Sequence, residues 1–349
     1  MRRSRSVTLS DIAEQTGVSK VTVSYVLNDR QTRVRISDAT RERVLTAARE
    51  MGYHPNALAR ALARKRTDTI TLVMQSSNVF RGGSGFMNEM LHGVMEAANV
   101  RNLDLMLHTK PQPDAESEAR ALTDGRTDGS LLLRDRDDPL AVHLTEREHP
   151  LVTIFSRSMT APATWFVDTD NVQGGCLGIE YLLSLGHRRI GYIGGSPHSA
   201  AVMDRHTGYL KALKAAGIVS SPAWQIQINY EGEDVTPLVR LMTETPPTER
   251  PTAFFIWSDD VAMGVARVLQ QECHLRVPED VSLVGFDGTE VAGTRSSPRL
   301  TSVVQPIHAI ADKGVELLTA RINDEVPDQT QILFAPSLAI RESCAPYSL

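Results

Sequence analysis

The sequence predicts a small all-α domain followed by a larger α/β domain of two lobes, each built on a doubly wound parallel sheet. Residues 1–66 carry a helix-turn-helix pattern with a strong basic charge. From residue 69 onward, apolar strands alternate with amphipathic helices, as in parallel sheets covered on both faces. About ten such strands are too many for one compact sheet, and 349 residues are too many for one ordinary core.

Residues 8–28 predict two short helices joined by a tight turn. Thr8 and Ser19 are placed to cap these helices by accepting hydrogen bonds from free backbone N–H groups. Gly17 suits the turn between them, because glycine adopts backbone angles that other residues avoid. The start of the second helix would then meet base edges in a DNA groove. The outward-facing residues there are Lys20, Val21, Ser24 and Tyr25.

The charge distribution supports contact with nucleic acid at one end of the chain. Residues 1–66 hold 14 basic and 6 acidic residues, a net charge of +8. The remainder holds 23 basic and 36 acidic residues, a net charge of −13. A basic module on an acidic body is typical of a protein that binds DNA through that module. A solvated basic tail is the alternative interpretation.

A third helix and a linker are predicted before the α/β domain. The third helix runs from Ser37, its N-cap, to about Met51, and Gly52 ends it. Asn56 can cap a short Ala/Leu/Arg helix that is too short to be stable alone, so we expect it to order only against a partner.

The expected domain boundaries follow from these patterns. Residues 1–52 form the helix-turn-helix domain and residues 53–66 the hinge helix and linker. The first lobe takes residues 67–163 and 302–327, and the second takes residues 164–301 and 328–349. A ligand cleft is expected where the carboxyl ends of the strands converge.

Several function classes are disfavoured. Cys176, Cys273 and Cys344 are far apart and show neither metal-binding nor disulfide spacing. No apolar run spans a bilayer, and no apolar stretch follows the basic start, so we expect a cytoplasmic protein. No catalytic residues, metal site or cofactor are predicted, because nucleophile, phosphate-loop and metal motifs are lacking. An enzyme and a transport solute-binding protein are the competing classes.

From Thr8 to Glu342 the chain resembles the LacI/GalR family of bacterial transcription regulators. The matching motifs are residues 18–24, 52–56, 185–190, 258–264 and 281–287, followed by Leu300-Thr301-Ser302-Val303. The resemblance implies a body similar to periplasmic sugar-binding proteins and a dimer that binds a near-palindromic DNA operator. It also implies a small-molecule effector in the inter-lobe cleft. A sugar is the first expectation, with a nucleobase, a sugar phosphate or a sugar acid as alternatives.

The resemblance also implies residue roles at the DNA. Lys20, Val21 and Tyr25 match positions that discriminate bases, although Val21 has an alternative role in helix packing. Leu62 matches the family's hinge leucine, which wedges into the minor groove and kinks the duplex. An ordinary linker helix with Leu62 buried on the body is the alternative. The candidates for phosphate positioning are Ser19, Thr22, Ser24 and Asn28.

The expected effector site centres on Arg205 and Asp287. Arg205 matches an arginine that forks onto ligand hydroxyls or carboxylates, and Asp287 matches a carboxylate that accepts from the same ligand. A structural ion pair between the two is the alternative. Ser258 stands where the family often has asparagine. The other candidate effector-binding residues are Phe86, Asp170, Trp257 and Asp259.

Three of these candidates have second interpretations. Asp170 is equally suited to cap a helix, and Trp257 is equally suited to a core position. Phe86 follows a glycine-rich loop, residues 81–85, that would act as a flexible lid together with Phe80.

A homodimer is expected, because the residues after Ile340 contain no heptad pattern that would join dimers into a tetramer. The helix Phe86–Asn99 and the helix near Val265–Leu269 are the expected interface elements. Effector binding would change the angle between the lobes and so the spacing of the hinge helices.

Overall fold

The computed structural model describes residues 7–27, 36–53, 61–62, 64–74, 84–229 and 233–347. The chain forms two compact units, Met1–Asp68 and Thr69–Leu349.

The first unit is a small helical domain, as expected. Its helices are α1 Leu9–Thr16, α2 Lys20–Leu27 and α3 Asp38–Glu50. Thr8 caps α1 by accepting from the Asp11 N–H at 3.4 Å, while Asp11 accepts from the Thr8 N–H at 2.7 Å. Gly17 ends α1 with φ at 66°, the left-handed conformation that the turn requires. The six buried apolar residues of the domain core are Ile12, Val23, Val26, Val44, Ala47 and Ala48.

The second unit contains a first sheet of six parallel strands in the order β11-β5-β4-β3-β1-β2. Its strands are β1 Thr69–Met74, β2 Asp104–His108, β3 Gly129–Leu133, β4 Leu151–Ile154, β5 Phe166–Thr169 and β11 Gln331–Phe334. The helices that accompany it are α4 Gly85–Val100, α5 Ala115–Leu122, α6 Leu140–Glu146 and α12 Ile307–Ile322. One core lies between this sheet and the pair α4 and α12, and a smaller one lies beneath α5 and α6.

The second sheet has the order β12-β10-β9-β8-β6-β7, in which only β12 runs antiparallel to its neighbour. Its strands are β6 Ile190–Gly194, β7 Gln225–Gln227, β8 Ala253–Ile256, β9 Ser282–Asp287, β10 Thr301–Val304 and β12 Ser337–Ala339. Its helices are α7 Asn171–Ser184, α8 Ala200–Ala215, α9 Thr236–Glu244, α10 Asp259–Gln271 and α11 Glu290–Thr294. The two-sheet architecture is therefore confirmed, with one antiparallel edge strand added.

The expected lobe boundaries are wrong at three places. Strand β5 pairs with β4, and β11 pairs with β5, so residues 166–169 and 331–334 belong to the first sheet. Boundaries at 163/164 and 327/328 would place both strands in the second lobe. Strand β10 pairs with β9 in the second sheet, so the return to the first lobe comes after residue 304 instead of before 302. Backbone pairing between distant segments decides these boundaries, and local pattern does not reveal it.

Two glycines set the spacing between α7 and α8. A Cβ at Gly208 would meet the backbone carbonyl of Val172 and would lie 2.8 Å from the backbone nitrogen of Cys176. A Cβ at Gly175 would likewise meet the carbonyl of Arg205. The two helices can therefore touch backbone to backbone, which brings the first residue of α7 close to the second turn of α8.

Candidate functional site

Helix α2 presents its first turn to solvent. Ser19 caps it by accepting from the Thr22 N–H at 3.1 Å, and the two hydroxyls lie 2.9 Å apart. Lys20 is exposed and the Val21 side chain is 58 % exposed, so Val21 does not pack into the domain core. This exposure favours a recognition surface over the packing interpretation.

The remaining DNA-contact candidates have different surroundings. Ser24 and Tyr25 are half-buried on α2, next to the core residues Val23 and Val26. Leu62 is helical and 84 % exposed. Asn28 lies outside the described residues. An apolar side chain as exposed as Leu62 is available to contact another molecule.

Arg205 is the centre of a buried polar network between the two sheets. It lies in the second turn of α8 and is only 4 % exposed. Its Nε donates to Asn171 Oδ1 at 2.9 Å, and its Nη1 donates to the carbonyl oxygen of Trp257. The guanidinium lies over the Phe286 ring, 3.6 Å from the ring centroid. These contacts fix the guanidinium in one orientation.

The structural ion pair that the sequence left as the alternative for Arg205 and Asp287 is present, with Nη1 and Oδ1 3.6 Å apart. Asp287 ends β9 with φ at 115°, a region that residues other than glycine rarely occupy. Gln305 donates its Nε2 to Asp287 Oδ1 at 2.7 Å, and the Asp259 N–H donates to Asp287 Oδ2 at 3.4 Å. Burial raises the pKa of Asp287, although the nearby Arg205 charge opposes that rise.

Asp168 is a further buried carboxyl in this network. Its Oδ1 accepts from the Thr169 N–H at 2.7 Å, and its Oδ2 accepts from Asn171 Nδ2 at 3.2 Å. Burial raises the pKa of Asp168 to about 6. One guanidinium therefore lies among several buried carboxyls, and their charges are only partly balanced by Arg205.

Sequence reasoning missed Asp168, Asn171 and Gln305, each of which contacts the network. A signal was available for two of them. Asp168 is the third residue of the four-residue strand β5 and Gln305 directly follows β10, where side chains gather at the carboxyl edge of a parallel sheet.

Three candidate effector-binding residues form hydrogen bonds within their own part of the chain. Asp259 is fully buried, and its Oδ2 accepts from the Thr289 N–H at 2.8 Å, while its Oδ1 accepts from the Ser302 hydroxyl at 2.6 Å. Ser258 caps α10 by accepting from the Val261 N–H at 3.4 Å. Asp170 caps α7 in the same manner. These hydrogen bonds give the three side chains structural roles, and their assignment to the effector site stays a prediction.

The aromatic candidates are partly exposed. Trp257 Nε1 donates to the Ile228 carbonyl at 2.8 Å, which orients the indole at the end of β8. Phe86 packs edge-on against Phe155, with ring centroids 5.1 Å apart. Phe80 and residues 81–83 of the expected lid lie outside the described residues. Both described rings therefore have fixed orientations near the ends of the strands.

Contacts between the lobes surround this network. Ser84 donates its hydroxyl to Asp260 Oδ2 at 2.6 Å, and the Gly85 N–H donates to Asp260 Oδ1 at 3.2 Å. His198 contacts Asp137 at 2.7 Å, and Arg157 forms an ion pair with Asp204. These pairs join the first lobe to the second, so they would break if the lobes moved apart.

Among the described residues, no helix has both the length and the apolar character needed to cross a bilayer.

Two family models match the sequence. Residues 8–56 match bacterial regulatory proteins of the lacI family, and residues 179–344 match the periplasmic binding protein-like domain. The transcriptional repressor PurR of Aliivibrio salmonicida (strain LFI1238) is 32 % identical, covering 96 % of this chain and 98 % of PurR. The transcriptional regulator CelR of Thermobifida fusca is 34 % identical, covering 98 % of this chain and all of CelR.

Solved structures agree with the fold. A complex of the transcriptional regulator CelR with cellobiose has a TM-score of 0.72 and 33 % identity, covering 97 % of this chain and 99 % of the other. The lac repressor dimer bound to operator and an anti-inducer has a TM-score of 0.81 at 24 % identity, covering 98 % of this chain and all of the other, which supports the fold alone.

A helix-turn-helix domain joined to a two-lobed body with a buried polar site between its sheets defines a DNA-binding transcriptional regulator. The chain belongs to the lacI family of bacterial regulatory proteins.

Proposed function

We propose that this regulator binds a near-palindromic operator as a homodimer in the cytoplasm and represses transcription under the control of a neutral sugar. Helix α2 would read base edges in the major groove, with Lys20 donating to guanine and Val21 packing against a thymine methyl. The exposed Leu62 would enter the minor groove at the centre of the operator. The protein would act by binding, without catalysis.

The proposal of a neutral ligand rests on the charged side chains in the cleft. Arg157 and Arg205 are the cations of the network, and Asp168, Asp204 and Asp287 are its carboxyls. A phosphate or carboxylate on the ligand would add negative charge to a site that already has more carboxyls than guanidinium groups. Sugar hydroxyls suit this mixture, because each can donate to a carboxylate and accept from a guanidinium.

The structure of CelR with cellobiose supports the same class, since CelR is 33 % identical over 97 % of this chain. A nucleobase, a sugar phosphate and a sugar acid remain the alternatives for the experiment below.

The contacts between the lobes would couple effector binding to the conformation of the regulator. A ligand that bridges the lobes would favour the conformation in which Ser84 and Asp260 touch. A near-complete switch needs a difference of roughly 5.5 kcal/mol between the affinities for the two conformations.

A strip of exposed apolar side chains supports the dimer. Met95 and Val100 on α4 and Leu107 on the edge strand β2 are 54 %, 76 % and 39 % exposed. Val265 and Leu269, expected at the interface, are buried in the second lobe, so their side chains do not contribute to it. We therefore place the second copy against α4 and β2.

A ligand screen tests the effector class. The purified chain is heated with cellobiose, ribose, glucose 6-phosphate, gluconate or adenine, and its melting temperature is recorded. A bound ligand at about 100 times its Kd stabilises the fold by about 2.7 kcal/mol. A shift with a neutral sugar supports the proposal, whereas a shift only with a charged ligand or adenine would reject it.

Two variants test whether a ligand that raises the melting temperature binds in the cleft. Arg157→Gln should weaken binding of the sugar, because it removes a guanidinium that joins the lobes. Arg188→Gln is the matched control, since Arg188 is exposed on the surface of the second lobe. Equal binding by wild type and Arg157→Gln would place the ligand elsewhere.

A further inference from the structure

Three metal-ligating side chains converge on the outer face of the first lobe, away from the cleft network. They are His92 and Glu96 on α4 and His308 on α12. His92 Nε2 lies 3.6 Å from Glu96 Oε1, and His308 Nδ1 lies 3.5 Å from Glu96 Oε2. The ligand atoms of all three residues lie within 4.8 Å of one another. No other such group of three occurs among the residues that the structure describes.

The backbone holds this arrangement in place. His92 and Glu96 are four residues apart, so they share one face of α4. Gly93 lies between them and lets α12 approach: a Cβ there would be 3.0 Å from the Ala311 Cβ and 3.3 Å from the His308 Cα. The same two helices share a buried core that includes Met90, Val94 and Ile310. The third ligand is therefore positioned by packing and not by a flexible loop.

We propose that His92, Glu96 and His308 bind a divalent transition-metal ion of the Zn²⁺ type. Two imidazoles and one carboxylate form a known three-ligand set for zinc, with water in the fourth position. Ligands about 2.0–2.1 Å from a tetrahedral ion are about 3.3 Å apart. The observed separations of 3.5 and 3.6 Å are close to that value, but each runs to a different oxygen of Glu96. Rotation of the three exposed side chains would bring both imidazole nitrogens and one carboxylate oxygen around a single ion.

The surroundings do not oppose a cation. The basic residues nearby are engaged with other carboxylates: Arg101 pairs with Asp312 at 2.7 Å, and Lys313 pairs with Glu316 at 2.7 Å. All three ligands are exposed in the single chain, so an ion can enter from solvent. Because His92 and Glu96 share α4 with Met95, the site borders the face proposed for the second copy. A bound ion would fasten α4 to α12, the two helices that cover one face of the first sheet.

Zinc titration of the full chain tests the proposal. The untagged protein is treated with a chelator, dialysed, and titrated with ZnCl₂ by isothermal calorimetry near neutral pH. We expect one ion per chain and a rise in melting temperature with zinc. His92→Gln and His308→Gln should each raise the Kd by at least about tenfold, because even partners that only orient a metal ligand account for 10–100-fold in affinity.

His143→Gln is the matched control. His143 also lies beside a glutamate on a helix, with Nδ1 3.4 Å from Glu146 Oε2, but no third ligand from the described part of the chain joins this pair. It should bind zinc like the wild type. Circular dichroism checks that each variant is folded. The proposal would be overturned if the wild type did not bind zinc, or if the His92 and His308 variants bound zinc as tightly as the wild type. The three residues would then form only two surface His–Glu contacts.

Discussion

Thr169 donates its hydroxyl to Gln305 Oε1 at 2.9 Å, which joins the end of β5 in the first sheet to the segment that leaves β10 in the second. The same Gln305 donates its Nε2 to Asp287 at 2.7 Å. Asp287 in turn faces Arg205. The Gln305 side chain thus connects the segment that passes between the lobes to the Arg205–Asp287 ion pair. A change in that ion pair would therefore alter the contacts where the lobes join.

Arg205→Ala should destabilise the protein as well as remove the effector response. The substitution leaves Asp287 buried without its ion-pair partner and Asn171 Oδ1 without its donor. Breaking a buried pair from one side costs about 3–5 kcal/mol, which urea unfolding at neutral pH measures. The measurement thus tests the structural ion pair that the sequence left open as the alternative role of Arg205 and Asp287.

Arg276→Ala provides the comparison for Arg205. Arg276 is an exposed arginine that pairs with Asp280 at 2.9 Å, and solvent screens this pair, so its loss should change the free energy of unfolding little. Equal free energies of unfolding for the two variants would show that the Arg205 network adds nothing to stability.

Asp260→Ala should weaken effector binding, although Asp260 is proposed to hold the lobes together and not to contact the effector. It removes the hydrogen bonds from the Ser84 hydroxyl and the Gly85 N–H that join the lobes. A hydrogen bond to a charged group contributes about 1.5 kcal/mol or more, so we expect an affinity roughly tenfold lower by calorimetry. A double-mutant cycle with Ser84→Ala isolates the contact, and strictly additive effects would contradict its role.

His149 should make stability fall as the pH is lowered. Burial lowers the pKa of His149 to about 4, and its Nε2 lies 2.9 Å from the Ser130 hydroxyl. Between pH 6.5 and 4 the unfolded chain therefore takes up a proton that the folded chain does not, which removes up to about 3 kcal/mol of stability.

Urea unfolding of wild type and His149→Gln at several pH values in this range measures that contribution. Asp168, whose pKa is raised to about 6, acts in the opposite sense, because its folded form binds the proton more readily. The difference between the two proteins cancels the Asp168 contribution. Identical slopes against pH would show that His149 does not titrate as expected.

Leu62→Ala should lower affinity for the operator by at least roughly tenfold, or about 1.4 kcal/mol, while affinity for unrelated DNA stays nearly the same. Binding to unrelated DNA depends mainly on phosphate contacts, which this substitution does not remove. Fluorescence anisotropy with both DNAs at fixed salt compares them. An equal loss on both would reject the wedge role.

The sequence was sufficient where structure is decided locally. Thr8, Ser19 and Ser37 cap their helices as expected, because a capping side chain needs only the backbone two or three residues away. The alternation of apolar strands and helices predicted from residue 69 onward begins with β1 at Thr69. An apolar strand with polar flanks can likewise be predicted from adjacent residues in the sequence.

The sequence was insufficient where distant segments meet. The pairing of β11 with β5 joins residues that the expected boundaries placed in the second lobe, and no local pattern specifies it. Asp259 looked like a ligand-facing carboxylate after a strand, yet Thr289 and Ser302 from two later segments enclose it. Asn171 could be recognised as a partner of Arg205 only when the fold brought α7 beside α8.

The order of the strands has a consequence for synthesis on the ribosome. The edge strands β11 and β12 come from Gln331–Phe334 and Ser337–Ala339, near the end of the chain, yet they complete two different sheets. At about 5–20 residues per second, a nascent chain therefore carries the open edges of β5 and β10 until residues 331–339 have been synthesised. Both sheets gain their last strand within this one short stretch, so a chain that stops before residue 331 has two exposed strand edges instead of one finished lobe.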